Sequence, residues 1–328
     1  MLKNKVLHVT CLSSATKNIG ILNQLNSEFL SVKQLKIDWS IVFWSNDRIQ
    51  NKIFCRKIPS IASFGIFRRL FFSLWVFREA KKFKHVLVRY PICDPFFIFV
   101  LFFRKNIYTV HHSKEEDIIR LQYNNAVGVM LKKVEHIIGS LAIKRSKGLI
   151  ALTSDILSYE KNRSNYPLSS RSLVSPNGIF MCNLPLKDLR RDDQVRLLFV
   201  SSVFYPWIGL NELLEDLIRF NIDDIQVHID IVGVVDNRQR NLVQMASIKH
   251  KIILHGTLES KEVRELSFMC DLGLATFNWD KAGLSEACTL KVREYLSYGL
   301  PVYSGHIDSA LPRNFKYYKM GRPLISEI

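Results

Sequence analysis

Cysteine is scarce and shows no pairing pattern. The six cysteines of the 328-residue chain stand at positions 11, 55, 93, 182, 270 and 288. No two lie within three residues of each other, which excludes a CxxC metal or redox pair. They are too sparse for a disulfide scaffold and read as small buried hydrophobes in a reducing compartment. Long apolar runs are lacking as well. The longest, Pro95 to Phe103, has nine residues, against the roughly 20 that a membrane-crossing helix needs. The start, MLKNKVLHVT, passes directly into a strand-like run, without the apolar stretch and small-residue cleavage site of a secretory signal. There is no low-complexity segment and no short internal repeat. No GxGxxG follows the first strand-like run, which argues against a dinucleotide-binding oxidoreductase.

Acidic residues are short in one half only. Residues 1–180 hold 28 Lys and Arg against 11 Asp and Glu, a net +17, while residues 181–328 hold 18 against 19, a net −1. The whole basic excess lies in the first half, which points to an anionic surface met by that half alone. The stretch 64–84, FGIFRRLFFSLWVFREAKKFK, interleaves Phe and Leu with six basic residues. That pattern suits an amphipathic helix lying on an anionic bilayer, and equally a helix that packs on a sheet and leaves a basic rim. Zinc-finger spacing, an RNP-like aromatic strand and a separate helix-turn-helix are all missing, so no nucleic-acid partner is expected.

What is present is an alternation. Apolar runs at 5–11, 37–44, 85–89, 107–111, 148–152 and 172–174 read as strands, with helical periodicity between them, notably at 67–83 and 115–144. The second half repeats the rhythm, with strands at 196–201, 227–232, 252–255, 272–275 and 301–303 and helices at 210–219, 237–247, 260–269 and 290–298. Near-continuous apolar strands separated by helices imply parallel sheets covered on both faces. The expected fold class is α/β, with two facing Rossmann-like, doubly wound domains, 1–178 and 179–328. The boundary is set by Ser175-Pro-Asn-Gly178, which breaks both helix and strand. Ligands of such sheets bind beyond the carboxyl ends of the strands.

Residues 283–305, GLSEACTLKVREYLSYGLPVYSG, hold the densest chemistry. Glu286 falls in a loop and Glu294 inside the helix that follows. Each carboxylate can accept hydrogen bonds from sugar hydroxyls, and a carboxylate matches a vicinal diol. Between them Cys288-Thr289-Leu290 opens a helix, whose N–H groups and dipole suit a diphosphate. The alternative is two solvated glutamates beside an amphipathic helix.

The stretch from Glu286 to Val302 resembles the E-x7-E signature of glycosyltransferase family 4, especially its polysaccharide-assembly branch. Three further segments agree in order: Ser175–Ile179 with a PNG hinge, Leu198–Gly209 with the first strand and PWxG loop of the second domain, and His255-Gly256 followed by Asp271-Leu-Gly273. The resemblance implies a GT-B fold and retaining, metal-independent transfer from a nucleotide-sugar donor, with no separate cofactor. It assigns the catalytic positions to His111 and Glu286, both on the transferred sugar, with His112 as the fallback for His111. Glu294 would bind the ribose, while Thr289, Leu290 and Lys291 would line the diphosphate. Lys291 would offset the charge of the leaving group. The implied mechanism is front-face displacement, in which the leaving phosphate takes the acceptor's proton, so no catalytic base is assigned. The implied acceptor is a polyprenyl-diphosphate-linked saccharide, which places the chain in the cytoplasm, peripheral on the inner face of the cell membrane. Another GT-B reaction, such as epimerisation or hydrolysis of a nucleotide-sugar, is the alternative activity.

Three departures stand out. The loop after 196–201 has Ser201 and Ser202 where family members place cations, leaving Lys291, Arg293, backbone amides or Lys17 to neutralise the diphosphate. The loop after the first strand keeps one glycine, Gly20, in place of a glycine-rich turn, and close backbone approach to a phosphate or to the acceptor would occur there. The family also continues beyond 301–303 into a helix that crosses back to the first domain. Here a short basic tail, 313–322, precedes Ile328, so the C-terminal end is expected to be shortened.

Overall fold

The computed structural model describes residues 5–12, 19–45, 54–57, 65–123, 125–166, 171–180, 195–220, 226–284 and 286–328. Lys17 lies outside them. The chain forms two compact units, Met1–Phe180 and Met181–Ile328.

The first unit is built on seven strands: β1 (Val6–Cys11), β2 (Trp39–Ser45), β3 (Phe54–Lys57), β4 (His85–Arg89), β5 (Ile107–His111), β6 (Gly148–Ala151) and β7 (Ser172–Val174). They pair in the order β3-β2-β1-β4-β5-β6-β7, all parallel. The order reverses between β1 and β4, the switch point where doubly wound sheets take ligands. Its helices are α1 (Ile19–Leu35), α2 (Gly65–Glu79), α3 (Pro95–Phe103), α4 (Glu115–Gln122), α5 (Ala126–Arg145) and α6 (Ser154–Ser164). Leu7 and Val9 join Val86, Val88, Phe72 and Phe97 in the core under α2 and α3. Alternation along the strand then turns His8 and Thr10 to the opposite face.

The nine-residue apolar run becomes α3, a short helix. Pro95 is its first residue, and the buried Asp94 carboxylate caps it by accepting from the Phe96 and Phe97 amides at 2.9 and 3.2 Å. The expected helix at 115–144 is broken in two. Asn125 caps α5 by accepting from the Gly128 amide at 3.1 Å, and a Cβ at Gly128 would meet the Tyr123 carbonyl oxygen at 1.8 Å. The helix expected at 67–83 also ends early, at Glu79, and a 3-10 turn covers Ala80–Lys82. Among the described residues no helix is long and apolar enough to cross a membrane.

The second unit has a six-stranded parallel sheet: β8 (Arg196–Val203), β9 (His228–Val234), β10 (Lys251–Gly256), β11 (Leu272–Leu274), β13 (Val302–Ser304) and β15 (Tyr318–Met320). Their order is β10-β9-β8-β11-β13-β15. A separate two-stranded piece pairs β12 (Glu286–Ala287) with β14 (Ile307–Asp308). Its helices are α7 (Leu210–Arg219), α8 (Asn237–Ala246), α9 (Ser260–Ser267) and α10 (Leu290–Ser297). The stretch read in the sequence as a basic tail supplies β15, which pairs with β13.

Tyr295 fixes α10 to this sheet. It is almost wholly buried, donates from its hydroxyl to the Leu274 carbonyl at 3.2 Å and accepts from the Val200 amide at 2.9 Å. Its ring lies on Gly273, where a Cβ would come within 2.6 Å. Gly299, with φ +74°, ends the helix in the left-handed conformation that glycine adopts without strain.

Candidate functional site

In the second unit, four elements converge at the carboxyl edge of the sheet. Thr289 caps α10, its hydroxyl accepting from the Val292 amide. Leu290 opens the helix and Lys291 follows in its first turn. The Lys291 ammonium donates to Ser201 Oγ at 3.3 Å, reaching the end of β8. Burial pushes the Lys291 amine down to about 8, against the opposing pull of Glu294. Glu294 stands one turn further along α10. Glu286 lies in β12, held by pairing with Ile307 of β14. The structure thus brings Glu286, Thr289, Leu290, Lys291 and Glu294 together around one helix start.

Arg293, a sequence candidate for neutralising a diphosphate, does not serve that purpose. It is buried, and it donates to Asp308 Oδ1 at 2.5 Å and to Cys288 Sγ at 3.0 Å. An Arg two positions from Lys291 on a helix points about 200° away from it, to nearly the opposite side, which here is into the core. The motif's second charge therefore tethers β12 and β14 to the helix.

The loop after β8 is shaped by close backbone approach. Gly233 (φ +132°) lies against the Ser201 carbonyl oxygen, which a Cβ would meet at 1.6 Å. Gln239 of α8 donates to the Phe204 carbonyl at 2.9 Å and to Asn211 at 3.0 Å, tying this loop to α7 and α8. His255, part of the HG motif, donates to the buried Asp230 at 2.7 Å, which Arg196 also grips. That histidine joins β10 to β9. Burial alone would raise the Asp230 carboxyl, but the hydrogen bonds from Arg196 and His255 outweigh it and leave it below its usual range.

In the first unit, His111 ends β5 with no exposed surface. Its ring stacks on Tyr90 at 4.8 Å, and its Nδ1 faces Glu115 at 3.0 Å and Glu160 at 3.7 Å. Glu115 opens α4 and Glu160 sits in α6. The cation shared by these groups is Arg163, with Nε 2.6 Å from Glu160, Nη1 3.1 Å from Glu135 and Nη2 3.5 Å from Glu115. Gly139 lets Arg163 approach α5, because a Cβ there would meet its guanidinium at 2.6 Å. Glu135 in turn accepts from the Cys93 amide at 2.7 Å and the Tyr90 hydroxyl at 3.3 Å. Burial pushes His111 down to about 4 and Glu115 up to about 7, and it raises Glu160 strongly. Burial thus favours the neutral imidazole and favours a proton on the carboxyl pair. The ligand atoms of His111, Glu115 and Glu160 lie within 4.8 Å of one another, a spacing that suits a metal ion. The charge in contact with both carboxylates is the guanidinium.

His112 is placed differently. It keeps part of its surface in solvent. Its buried Nε2 has no hydrogen-bond partner among the described residues. Burial holds it well below the usual imidazole range, and the neighbouring Arg89 and His8 add to the effect. Strand alternation explains the contrast, since consecutive residues leave opposite faces of the sheet. Gly20 is exposed in the first turn of α1. Arg89, at the end of β4, was missed in the sequence, where it reads as one more basic residue of a basic half.

The arrangement of both sheets has counterparts among solved structures. The lipopolysaccharide outer core galactosyltransferase WaaB, in its apo form, matches over 92% of this chain and 80% of its own, with TM-score 0.58 and 14% identity. Anabaena Alr3699/HepE, in complex with UDP-glucose, matches over 97% and 86%, with TM-score 0.60 and 11% identity. The fold is GT-B. The same fold carries a different reaction name in a putative UDP-N-acetylglucosamine 2-epimerase from Listeria monocytogenes, with TM-score 0.50 and 12% identity over 92% and 79%. No protein-family model and no curated protein matches the chain.

Proposed function

We propose that the chain is a retaining glycosyltransferase that moves a sugar from a nucleotide-sugar donor to a polyprenyl-diphosphate-linked saccharide in surface-polysaccharide assembly. The observation that carries this reading is the start of α10, with a half-buried lysine aimed at the end of β8 and a glutamate on either side. An ammonium and a helix N-terminus favour the diphosphate, and the two carboxylates favour diols. In this reading Glu294 takes the ribose, Glu286 takes the transferred sugar, and Thr289, Leu290 and Lys291 take the phosphates. The bond from the anomeric carbon to phosphate breaks as the bond to the acceptor oxygen forms on the same face, and the acceptor's proton passes to the leaving phosphate. The shared fold and the UDP-glucose bound by HepE support this reading.

The test is thermal stabilisation by UDP-, GDP- and dTDP-sugars. One donor class should stabilise the chain, by about 2.7 kcal/mol at a hundred times its dissociation constant. In Glu294→Ala that shift should vanish. Equal stabilisation of both proteins would remove Glu294 from the site and this reading with it.

The membrane partner rests on the first unit. Phe99 and Phe103 of α3 and Ile66 and Leu74 of α2 are exposed. Arg104 and Arg145 lie over the rings of Phe77 and Phe102 at 4.0 and 4.3 Å. Apolar rings with basic rims suit an anionic bilayer on the inner face of the cell membrane. Vesicle co-sedimentation should show binding to anionic but not to zwitterionic lipid, with Phe99→Ser/Phe103→Ser reducing it about tenfold. Binding unaffected by both lipid charge and these substitutions would refute the membrane role of this face.

A further inference from the structure

Four polar side chains at the switch point of the first sheet lack partners that folded proteins normally supply. Thr10 is 1% exposed and its Oγ1 has no hydrogen-bond partner among the described residues. His8 is 7% exposed, and its Nε2 is likewise unpartnered. His112 Nε2 is the third such atom. Arg89 makes no hydrogen bond among the described residues, and burial lowers its guanidinium to about 10.

The parallel register gathers them. Val9 pairs with Val88, so Thr10 and Arg89 stand side by side one residue on, and Arg89 pairs with Val110 on its other flank. His112, two residues past Val110, returns to the same face, and its charge environment is set by Arg89 and His8. Buried polar atoms without partners are uncommon and call for an explanation. Three orphan atoms and an arginine in one patch call for a ligand. The nearby carboxylates do not fill that role. Glu28 is occupied on α1, accepting from His8 Nδ1 at 2.8 Å and Trp39 Nε1 at 2.7 Å. Glu115 is felt by Arg89 as a charge but makes no hydrogen bond to it, because its oxygens face His111 and Arg163.

We propose that Arg89, Thr10, His112 and His8 form a binding site for a phosphoryl group. Arg89 offers a fixed fork of donors and keeps its charge at neutral pH, Thr10 offers a hydroxyl, His112 offers Nε2 as an N–H, and His8, whose Nδ1–H is spent on Glu28, lines the site. Arg89 and His112 remain partly open to solvent, which gives the anion a way in. A metal ion is disfavoured by the arginine. The site is independent of α10. It rests on the glycosyltransferase reading only for the source of the phosphoryl group, which is either a lipid-linked diphosphate or a free phosphate.

The experiment is binding of inorganic pyrophosphate and of farnesyl diphosphate, followed by calorimetry and by the histidine ring proton resonances. Pyrophosphate should bind the full chain, and the histidine shifts it causes should persist in Lys291→Ala, which lacks the α10 ammonium. Its affinity should fall at least tenfold in Arg89→Gln, and it should shift the His112 and His8 ring signals. Tighter binding of farnesyl diphosphate than of pyrophosphate assigns the site to lipid-linked diphosphate, and equal binding assigns it to free phosphate. Should Arg89→Gln fail to fold, Thr10→Val and His112→Asn carry the same test, each with an expected several-fold loss. The proposal is overturned if pyrophosphate leaves the histidine signals unmoved, if sodium chloride at equal ionic strength reproduces the shifts, or if all three variants bind as the parent does. Loss of nucleotide-sugar binding in Lys291→Ala with the pyrophosphate-induced histidine shifts intact separates the two sites.

Discussion

Arg163→Ala is expected to destabilise the first unit by about 3–5 kcal/mol, the usual result of stripping one partner from a buried ion cluster. For a unit of this size that lowers the melting temperature by about 10 °C. The reason is charge. Arg163 is the cation in contact with Glu115, Glu135 and Glu160, all of them nearly solvent-free. Burial alone would weaken its charged form, and the three carboxylates more than reverse that effect. Without the guanidinium, these carboxyls must take up protons or stay ionised in a dry interior. The pH dependence has a defined sign. Glu115 is raised to about 7, so the stability it contributes is present below its unfolded value near 4.5 and is lost as pH rises through 7. The damage in Arg163→Ala should therefore be larger at pH 8 than at pH 5. Urea denaturation at the two pH values measures it, and a loss under 1 kcal/mol at both would show that the cluster is not held by this arginine.

Lys291→Ala is expected to slow sugar transfer by about 100- to 1000-fold, the usual effect of removing one preorganised donor at a developing anion. The loss should appear in kcat more than in KM, because charge on the phosphate grows in the transition state. The lysine must be protonated to act, and burial lowers it to about 8. Transfer should therefore fall as pH rises through about 8, and Lys291→Arg should move that limb to higher pH. A steady-state pH–rate profile of the three proteins decides the matter. An unchanged alkaline limb in Lys291→Arg would mean that another group titrates there.

The strands were legible because parallel sheets bury both faces and so write apolar runs into the chain. His85–Arg89, Ile107–His111 and Ser172–Val174 have the expected bounds. Two features were not legible. The break at Asn125 depends on a single amide accepting a cap bond beside a glycine, inside a stretch whose helical periodicity otherwise continues. β15 is three residues long, and its apolar neighbour is supplied by β13, not by its own sequence. The α10 residues could be found because they are contiguous and follow helical spacing. The contrast between His111 and His112 could not, since it depends on which way a strand end turns. Nor could the patch of His8, Thr10, Arg89 and His112. Two of its members lie on β1, one ends β4 and one follows β5, and only the register of the sheet makes them neighbours.

The pairing of β12 with β14 ties Glu286 to a later part of the chain. Its backbone hangs from Ile307, and Asp308, the next residue, clamps Arg293 of α10. The carboxylate ahead of the helix and the one within it are therefore spaced by a parallel two-stranded brace and not by the intervening loop alone. Lengthening or shortening the chain between β13 and β14 would shift Ile307 and, through it, Glu286. In the function proposed above, that is a way to fit sugars of different size without rebuilding the start of α10.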